Sequence, residues 1–331
     1  MTRRKFALLS GAAVVGAYGG IKLQKVKKPP ELSQGPAGNS AVAIIRARSY
    51  SDDLVSRMLE GIRQCGLQVR GKRVLLKPNL VEFDPSTVIN TNAVVIAAAV
   101  EVFERLGAAE VKIGEGPGHR RDTLEMADDA RYRATIPKFE RIFTDLNRDD
   151  VSAVKAFAGE PEFYFPNTVL GADLIVSLAK MKTHHWAGAT LSMKNFFGVV
   201  PGSVYGWPKN KLHYYGIPES IVALNRQFGN KSFAIVDGVV GMEGNGPIQG
   251  TPKPVGVLVM GSDLVAVDST CCRIMGIDPE KVSYLRMAAD LGHVRPGRIE
   301  QRGETIASVQ TNFALIDDFK DLRLVAPPSV S

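Results

Sequence analysis

The sequence predicts an α/β fold in which helices cover both faces of a mostly parallel sheet, arranged as one domain or as two lobes. From residue 41 onward, short apolar runs of strand length alternate with longer segments whose apolar residues recur at helical spacing. Polar loops rich in glycine follow several of the strand patterns. With 331 residues, of which 45% are hydrophobic, the chain is long enough to bury a full core.

The first half of the folded part contains three strand patterns separated by helices. Asn92 is a favourable capping residue for the second helix, and Gly107 is a favourable residue for ending it. The predicted elements are a strand at 41–46, a helix at 51–65, a strand at 73–80, a helix at 93–106 and a strand at 110–114.

The second half continues the alternation after a less regular middle. Residues 143–158 contain a strand-like piece that the sequence does not order further. The other predicted elements are a helix at 121–129, a strand at 174–178, a helix at 218–228, a strand at 232–237, a glycine-rich loop at 238–247, a strand at 255–260 and a helix at 263–275. We place the α/β domain at residues 41–310 and a C-terminal tail at 311–331.

The N-terminus has the plan of a twin-arginine export signal. Arg3 and Arg4 precede an aromatic residue, Phe6, and a mildly apolar stretch follows up to Ile21. That stretch is shorter than the roughly 20 residues of a comfortable transmembrane helix. We expect residues 1–40 to be this signal, cleaved or kept as a membrane anchor, and a linker. The predicted partner is the twin-arginine export machinery, and the predicted location is the periplasm or another extracytoplasmic compartment. A basic cytoplasmic N-terminus with a chance arginine pair is the alternative.

Charge and cysteine usage exclude several classes of function. Seven of the 41 basic residues lie in the first thirty positions, and the remaining 34 equal the 34 acidic residues, so we expect no nucleic-acid partner. Cys271 and Cys272 are adjacent and Cys65 is remote, a pattern typical of core residues. Without a C-x-x-C motif, neither an intrinsic iron-sulfur cluster nor a structural zinc site is expected.

Chemically capable side chains recur at the ends of four predicted strands. Because ligands of open α/β sheets lie beyond the carboxyl ends of parallel strands, we expect these side chains to surround one cleft. The candidates are Lys77 and Asn79, Glu115, the cluster of Lys180, Lys182, His184, Lys194 and Asn195, and Asp237 with Glu243. Any one of these residues could equally belong to an ordinary solvated loop.

Residues 174–202 are the predicted functional centre. Lys194 lies among apolar residues, where a buried ammonium needs a bound anion or a carboxylate to offset its desolvation. Gly198 and Gly202 would permit close approach of the backbone to a bound group. His184 and His185 point in opposite directions in an extended chain, so at most one of them faces a site.

Several ordered motifs resemble the DUF362 family, named for domain of unknown function 362. The matching stretches are 74–80, 113–117, 180–184, 191–198, 236–247 and 263–268, within a region of about residues 41–295. The resemblance implies the fold more than the activity. Some members carry a ferredoxin-like module with cysteine clusters, which this chain lacks. A fainter similarity to the lactate racemase family, whose scaffold holds a nickel pincer cofactor through a lysine and histidines, covers only Lys194 before Pro201 and Gly202.

Two functions of different class fit these residues. In the first, the chain is an exported enzyme that holds a small anionic carboxylate or phosphate substrate with Lys77, Lys180, Lys182 and Lys194. Asp237, Glu243 or Glu115 would act as a general base or as a ligand of a divalent metal, and His184 would transfer a proton near neutral pH. In the second, the cluster binds without turnover, in a protein that delivers a metal or cofactor at the membrane face.

Overall fold

A nine-stranded mixed sheet forms the centre of the part of the protein that the computed structural model describes, residues 32–33, 35–118 and 121–325. The strands are β1 (Ser40–Arg46), β2 (Arg73–Pro78), β3 (Glu110–Glu115), β4 (Phe143–Asp145), β5 (Val151–Phe157), β6 (Glu160–Pro166), β7 (Leu174–His184), β8 (Gly188–Thr190), β9 (Ser232–Asn245), β10 (Gln249–Gly261) and β11 (Ile299–Gly303). Strands β5 and β6 form a separate hairpin.

The strand order of the main sheet is β11-β1-β10-β9-β7-β2-β3-β4, with β8 paired to β7. Neighbours are parallel from β9 through β7, β2 and β3 to β4, and β1 is parallel to β11. The pairings of β10 with β1 and β9, and of β8 with β7, are antiparallel. The predicted α/β class with a mostly parallel sheet is therefore confirmed.

Helices lie along the chain between these strands. They are α1 (Leu54–Cys65), α2 (Ala93–Arg105), α3 (Thr123–Asp129), α4 (Tyr132–Thr135), α5 (Phe139–Ile142), α6 (Asn167–Gly171), α7 (Ser192–Asn195), α8 (Gly202–Tyr205), α9 (Asn210–Tyr215), α10 (Ile217–Phe228), α11 (Leu264–Ile274), α12 (Ser283–Met287) and α13 (Ile306–Val309). The side chains of Asp53, Asn92 and Asp263 accept hydrogen bonds from the first turns of α1, α2 and α11.

The sheet is buried on both faces. Ala43 and Ile45 of β1 belong to the apolar cluster that includes the inward residues of α1 and α2. Val42 and Ile44, which alternate with them and so point to the opposite face, are also fully buried. On that face, the side chain of Val267 of α11 lies close to Gly261 of β10.

Three stretches differ from the sequence-based expectation. Of residues 238–247, predicted as a loop, residues 238–245 are the second half of β9 and pair with β10 in a long hairpin. Strand β7 continues through the polar residues 180–184, because its far end pairs with β8. Of the predicted tail, residues 311–325 contact the domain, where Phe313 is fully buried and Arg323 bridges Ile277.

The predicted export signal lies outside the described residues. Within residues 32–33, 35–118 and 121–325, no helix combines the length and the apolar character needed to cross a membrane.

Candidate anion-binding site

A cavity of about 300 Å³ lies beyond the carboxyl ends of β2, β3 and β7, and seven of the predicted site residues line it. They are Lys77, Asn79, Glu115, Lys182, His184, Lys194 and Asn195. Its position follows from the parallel arrangement of β2, β3 and β7, which brings their carboxyl ends to one edge of the sheet.

Lys77 and Glu115 form a buried ion pair at the base of the cavity. Their side chains are about 1% exposed, and Lys77 Nζ lies 2.6 Å from Glu115 Oε2. The same ammonium donates to the Pro78 carbonyl oxygen at 2.8 Å, and Glu115 also accepts from the backbone N–H of Leu80 and Gly116. Burial lowers the pKa of Lys77, and the attraction of Glu115 opposes that shift. The two charges are thus held by each other and by the backbone.

Asn195 connects this pair to the amide of Asn79. The Asn195 Oδ1 atom accepts from Lys77 Nζ at 3.2 Å and from Asn79 Nδ2 at 3.3 Å. Asn79 Oδ1 is buried and has no hydrogen-bond partner within the described chain. A buried amide oxygen without a partner is costly, so a ligand donor at this point would be stabilised.

Close contact with the Lys77–Glu115 pair requires glycine at position 198. A Cβ atom at Gly198 would lie 2.1 Å from Glu115 Oε1 and 2.4 Å from Lys77 Nζ. At Gly202 it would lie 2.6 Å from the ring of Trp207. Both glycines therefore permit close approach of side chains of the protein. The expected approach to a bound group stays a prediction.

The short helix α7 carries Lys194 and Asn195, and Asp268 of α11 holds its start. The Asp268 carboxylate accepts from the backbone N–H and the hydroxyl of Ser192, from the backbone N–H of Met193 at 3.1 Å and from the Tyr284 hydroxyl at 3.3 Å. Burial raises the pKa of Asp268 to about 7. The Asp268 carboxylate thus joins two of the motifs that resemble the DUF362 family, residues 191–198 and 263–268.

Lys182 and Lys209 are two further buried lysines of the cavity, each held by uncharged oxygen atoms. Lys182 Nζ donates to the carbonyl oxygens of Ile89 at 2.8 Å and Pro247 at 3.2 Å. Lys209 Nζ contacts the carbonyl oxygen of Val200 and lies 3.3 Å from Asn147 Oδ1. Burial lowers the pKa of Lys182 well below its usual range and that of Lys209 to about 7.

Lys194 differs from the other lysines of the cavity because nothing in the described part of the chain forms a hydrogen bond or ion pair with its ammonium. Its Nζ lies 4.5 Å from the centre of the Phe197 ring, within cation–π distance. Burial lowers the pKa of Lys194 to about 8. Lys194, which we expected to be buried among apolar residues, is half-buried beside the ring of Phe197.

His184 is held as a neutral imidazole. Its Nδ1 atom accepts from the backbone N–H groups of Trp186 at 3.0 Å and Ala187 at 3.2 Å, so the ring proton lies on Nε2. Burial, followed by the positive charge of Lys194, lowers the pKa of His184 far below its usual range. The predicted proton transfer by His184 near neutral pH is wrong for this environment, because the ring stays uncharged. It can instead donate a hydrogen bond from Nε2.

Aromatic rings surround the mouth of the cavity. The rings of His185 and Trp186 are 4.5 Å apart, Trp186 and His213 are 6.1 Å apart, and Phe197 and His213 are 6.2 Å apart. Trp186 is 62% exposed, so it forms part of the outer rim. Below this rim, the described residues that line the cavity include four lysines and a single carboxylate.

Lys180 and Asp237 form a separate buried cluster with Tyr50. Lys180 Nζ lies 3.0 Å from Asp237 Oδ2 and 2.8 Å from the Tyr50 hydroxyl. Asp237 also accepts from the backbone N–H of Asn92 and Val239. Lys180 lines another cavity, beside residues 87–94. The expectation that all four strand ends surround one cleft is therefore corrected. Lys77 and Glu115 line the cavity, whereas Lys180 and Asp237 form an ion pair between β7 and β9 outside it.

Glu243 also lies away from the cavity. It sits on the β9–β10 hairpin, where its carboxylate accepts from the backbone N–H of Ala314 at 2.8 Å and lies 3.3 Å from Lys253 Nζ. The predicted loop at 238–247 would have allowed Glu243 to reach the site, but its strand conformation directs it to residues 311–325.

Sequence reasoning missed three residues that contribute to the site or its support, namely Lys209, His213 and Asp268. The signal for Asp268 was its place in a family-like motif. Lys209 follows Trp207 and Pro208 in a segment without periodicity, where a lysine looks like any solvated residue. The described residues contain no group of three or more histidine, cysteine or acidic side chains placed to hold a metal ion. A divalent metal stays a prediction.

Comparison with known proteins agrees with the motif resemblance. The thylakoid-associated protein sll1697 of Synechocystis sp. is 27% identical over 266 residues, covering 76% of this chain and 79% of that protein. The lactate racemase apoprotein of Thermoanaerobacterium thermosaccharolyticum is 13% identical with a TM-score of 0.43, covering 72% of this chain and 57% of that one. A Thermotoga maritima protein is 16% identical with a TM-score of 0.41, covering 66% and 58%. Residues 74–273 match the domain of unknown function DUF362, and the chain belongs to this family.

Proposed function

We propose that this chain is an exported enzyme that binds a small carboxylate or phosphate in the lysine-lined cavity and acts on it there. One observation carries the proposal: four buried or half-buried lysines converge on the cavity, and among its described lining residues the one carboxylate, that of Glu115, is already paired with Lys77. Such a site has more basic than acidic groups in a medium of low polarity, and burial disfavours their charged forms. A small anion would supply the missing negative charge.

The lysines of the cavity would have different roles in binding an anion. Lys77, Lys182 and Lys209 are held by neighbouring oxygens, so their nitrogen atoms do not move to meet a ligand. Burial disfavours the charged forms of Lys182 and Lys209, and a bound anion would favour them. Lys194 is free to contact the anion directly. The Nε2–H of His184 is a second donor of fixed direction, and a neutral imidazole donates without repelling the lysines.

A second function, binding and delivery of a metal or cofactor at the membrane face, is favoured by one comparison. The relative from Synechocystis sp. is named thylakoid-associated, which places that protein at a membrane system. Turnover separates the two functions. Incubation of the full chain with mixtures of small organic acids and phosphate esters, followed by mass spectrometry of the mixture, would detect a product from an enzyme and none from a carrier.

The proposed export of the chain can be tested separately from its activity. Replacement of Arg3 and Arg4 by lysine should retain the protein in the cytoplasm, because the export receptor reads the paired guanidinium groups. Cell fractionation of both forms measures this. An unchanged extracytoplasmic yield would contradict the proposed export route.

Anion binding is tested by titration calorimetry of the full chain with inorganic phosphate and with acetate. Lys194→Met should weaken binding at least about ten-fold, in line with the loss of a charged hydrogen bond of 1.5–3 kcal/mol. Lys112→Met is the matched control, because Lys112 lies on the surface beside Glu110. Equal affinities of Lys194→Met and the unaltered protein would contradict the proposal.

A further inference from the structure

We infer that the amine of Lys194 forms an imine with a small carbonyl compound that carries a carboxylate or phosphate, so that the substrate class is an oxo acid or a phosphorylated aldehyde or ketone. This inference rests on the proposed function, since the cavity must first bind the anion. It adds a covalent step and names the group on which that step occurs.

The first support is the difference between Lys194 and the other lysines. Lys77 is tied to Glu115 at 2.6 Å, Lys182 to two backbone carbonyl oxygens, and Lys209 to the Val200 carbonyl and Asn147. Among the described residues, Lys194 is the lysine of this cavity whose nitrogen forms no such bond. Its lone pair is therefore available to a ligand.

The second support is the surroundings of that nitrogen. It faces the ring of Phe197 at 4.5 Å, a neighbour that offers no proton acceptor. An amine in an apolar pocket beside other cations is the arrangement that activates lysine as a nucleophile. With its pKa lowered to about 8, the amine is neutral in about a quarter of the molecules at about pH 7.5, compared with about one in a thousand for an ordinary lysine.

The third support is a pair of buried polar atoms that lack partners. Asn79 Oδ1 and Thr190 Oγ1 both belong to residues that line the cavity, and neither forms a hydrogen bond within residues 35–118 and 121–325. Asn79 is 6% exposed and Thr190 is 3% exposed. The Thr190 hydroxyl can donate to a carbonyl or carboxylate oxygen, and the Asn79 oxygen can accept from a hydroxyl of the ligand.

The chemical step balances without another reagent. The neutral amine attacks the carbonyl carbon, the new C–N bond forms, and the electron pair of the C=O bond moves to oxygen. The Lys194 ammonium gives up one proton to become this amine and a second proton after the attack, and both protons go to the carbonyl oxygen. The nitrogen lone pair then forms the C=N bond while the remaining C–O bond breaks, and the oxygen leaves as water. The products of the ammonium and the carbonyl compound are thus water and an iminium that carries the one positive charge. The iminium then withdraws electrons from the adjacent carbon, which is the usual purpose of such an intermediate.

The experiment is reductive trapping on the full chain. The protein is incubated with glyoxylate or pyruvate and sodium cyanoborohydride at about pH 7.5, and modified peptides are mapped by mass spectrometry. Because the Lys194 nitrogen is held in the anion-binding cavity without a hydrogen-bond partner among the described residues, we expect at least about ten-fold more adduct at Lys194 than at the partly exposed Lys112. Inorganic phosphate, added as a competing anion, should protect Lys194 and leave the labelling of Lys112 unchanged.

The variant Lys194→Arg separates the two proposals, because arginine keeps the positive charge but forms no imine under these conditions. We expect Lys194→Arg to retain measurable acetate binding, because the guanidinium keeps the positive charge, and to yield no adduct at position 194. Anion binding by the unaltered protein without an adduct at Lys194 would overturn the imine and leave the proposed function standing. Absence of both would overturn both, and labelling of Lys194 equal to that of Lys112 would also overturn the imine.

Discussion

Replacement of Gly198 by alanine tests whether the base of the site is as tightly packed as its geometry indicates. The added Cβ atom would lie 2.1 Å from Glu115 Oε1, 2.4 Å from Lys77 Nζ and 2.6 Å from Lys77 Cε. Ordinary van der Waals contacts of a Cβ atom are 3.4–4 Å, so the pair would have to move by about 1 Å. Both side chains are buried and hydrogen-bonded, and therefore cannot turn away into solvent.

The magnitude follows from the interactions that this movement would break. Separation of a buried ion pair typically costs about 3–5 kcal/mol, and partial relaxation of the short helix α7 and the residues after it would reduce this to about 3 kcal/mol. For a chain of this length that corresponds to a lowering of the unfolding midpoint by roughly 4 °C. Circular dichroism during heating and urea denaturation would measure both quantities.

Gly229→Ala is the matched control. Nothing lies within 4 Å of a Cβ atom built there, and the residue has a helical backbone conformation with φ −60° and ψ −32°. We expect this variant to change the free energy of unfolding by less than about 0.5 kcal/mol. If Gly198→Ala unfolds at the same midpoint as Gly229→Ala, the close packing of Gly198 against the Lys77–Glu115 pair is refuted.

Three further predictions concern charge. Anion binding should be accompanied by proton uptake above about pH 8, because a bound anion favours the charged form of Lys194. Calorimetry in buffers of different ionisation enthalpy should measure this uptake. The uptake should be reduced in Lys194→Met and unchanged in Lys112→Met. Asp237→Asn should lower the free energy of unfolding by about 3–5 kcal/mol in urea while changing anion affinity less than about two-fold, since it leaves Lys180 buried without its partner outside the cavity. Burial raises the pKa of Asp268 to about 7, so the native state retains a proton that the unfolded chain releases near pH 4. The contribution of Asp268 to the free energy of unfolding should therefore decline as the pH rises from about 4 to about 7. Urea denaturation as a function of pH should show a smaller decline in Asp268→Asn.

The parts of the site that could be predicted are those set by strand direction. Lys77 and Glu115 follow apolar runs of strand length, and parallel strands place their carboxyl ends together, so their proximity needed no side-chain detail. The apolar neighbours of Lys194 were likewise visible in the sequence. The local sequence pattern was sufficient to predict the surroundings of a site residue where one strand end or one short segment determines them.

The parts that could not be predicted depend on where a strand ends and which way its residues face. The polar residues after Leu178 looked like a loop, but pairing with β9 and β8 keeps them in β7. The register shifts between Lys180 and Lys182, and Lys180 contacts Asp237 whereas Lys182 lines the cavity. The glycines at 238–246 are typical of a loop, but most of this segment is a strand of the β9–β10 hairpin. The neutral state of His184 depends on two backbone N–H groups that only the folded turn brings to its Nδ1 atom.

The attachment of α7 to Asp268 also bears on the order in which the chain acquires its site during synthesis. The bonds from Ser192 to Asp268 join residues 76 positions apart, so a nascent chain that has not yet reached α11 lacks the acceptor that fixes the start of α7. Strands β2, β3 and β7 can therefore associate before Lys194 takes its final position. The ability to bind a ligand would be acquired late in folding, after most of the sheet exists.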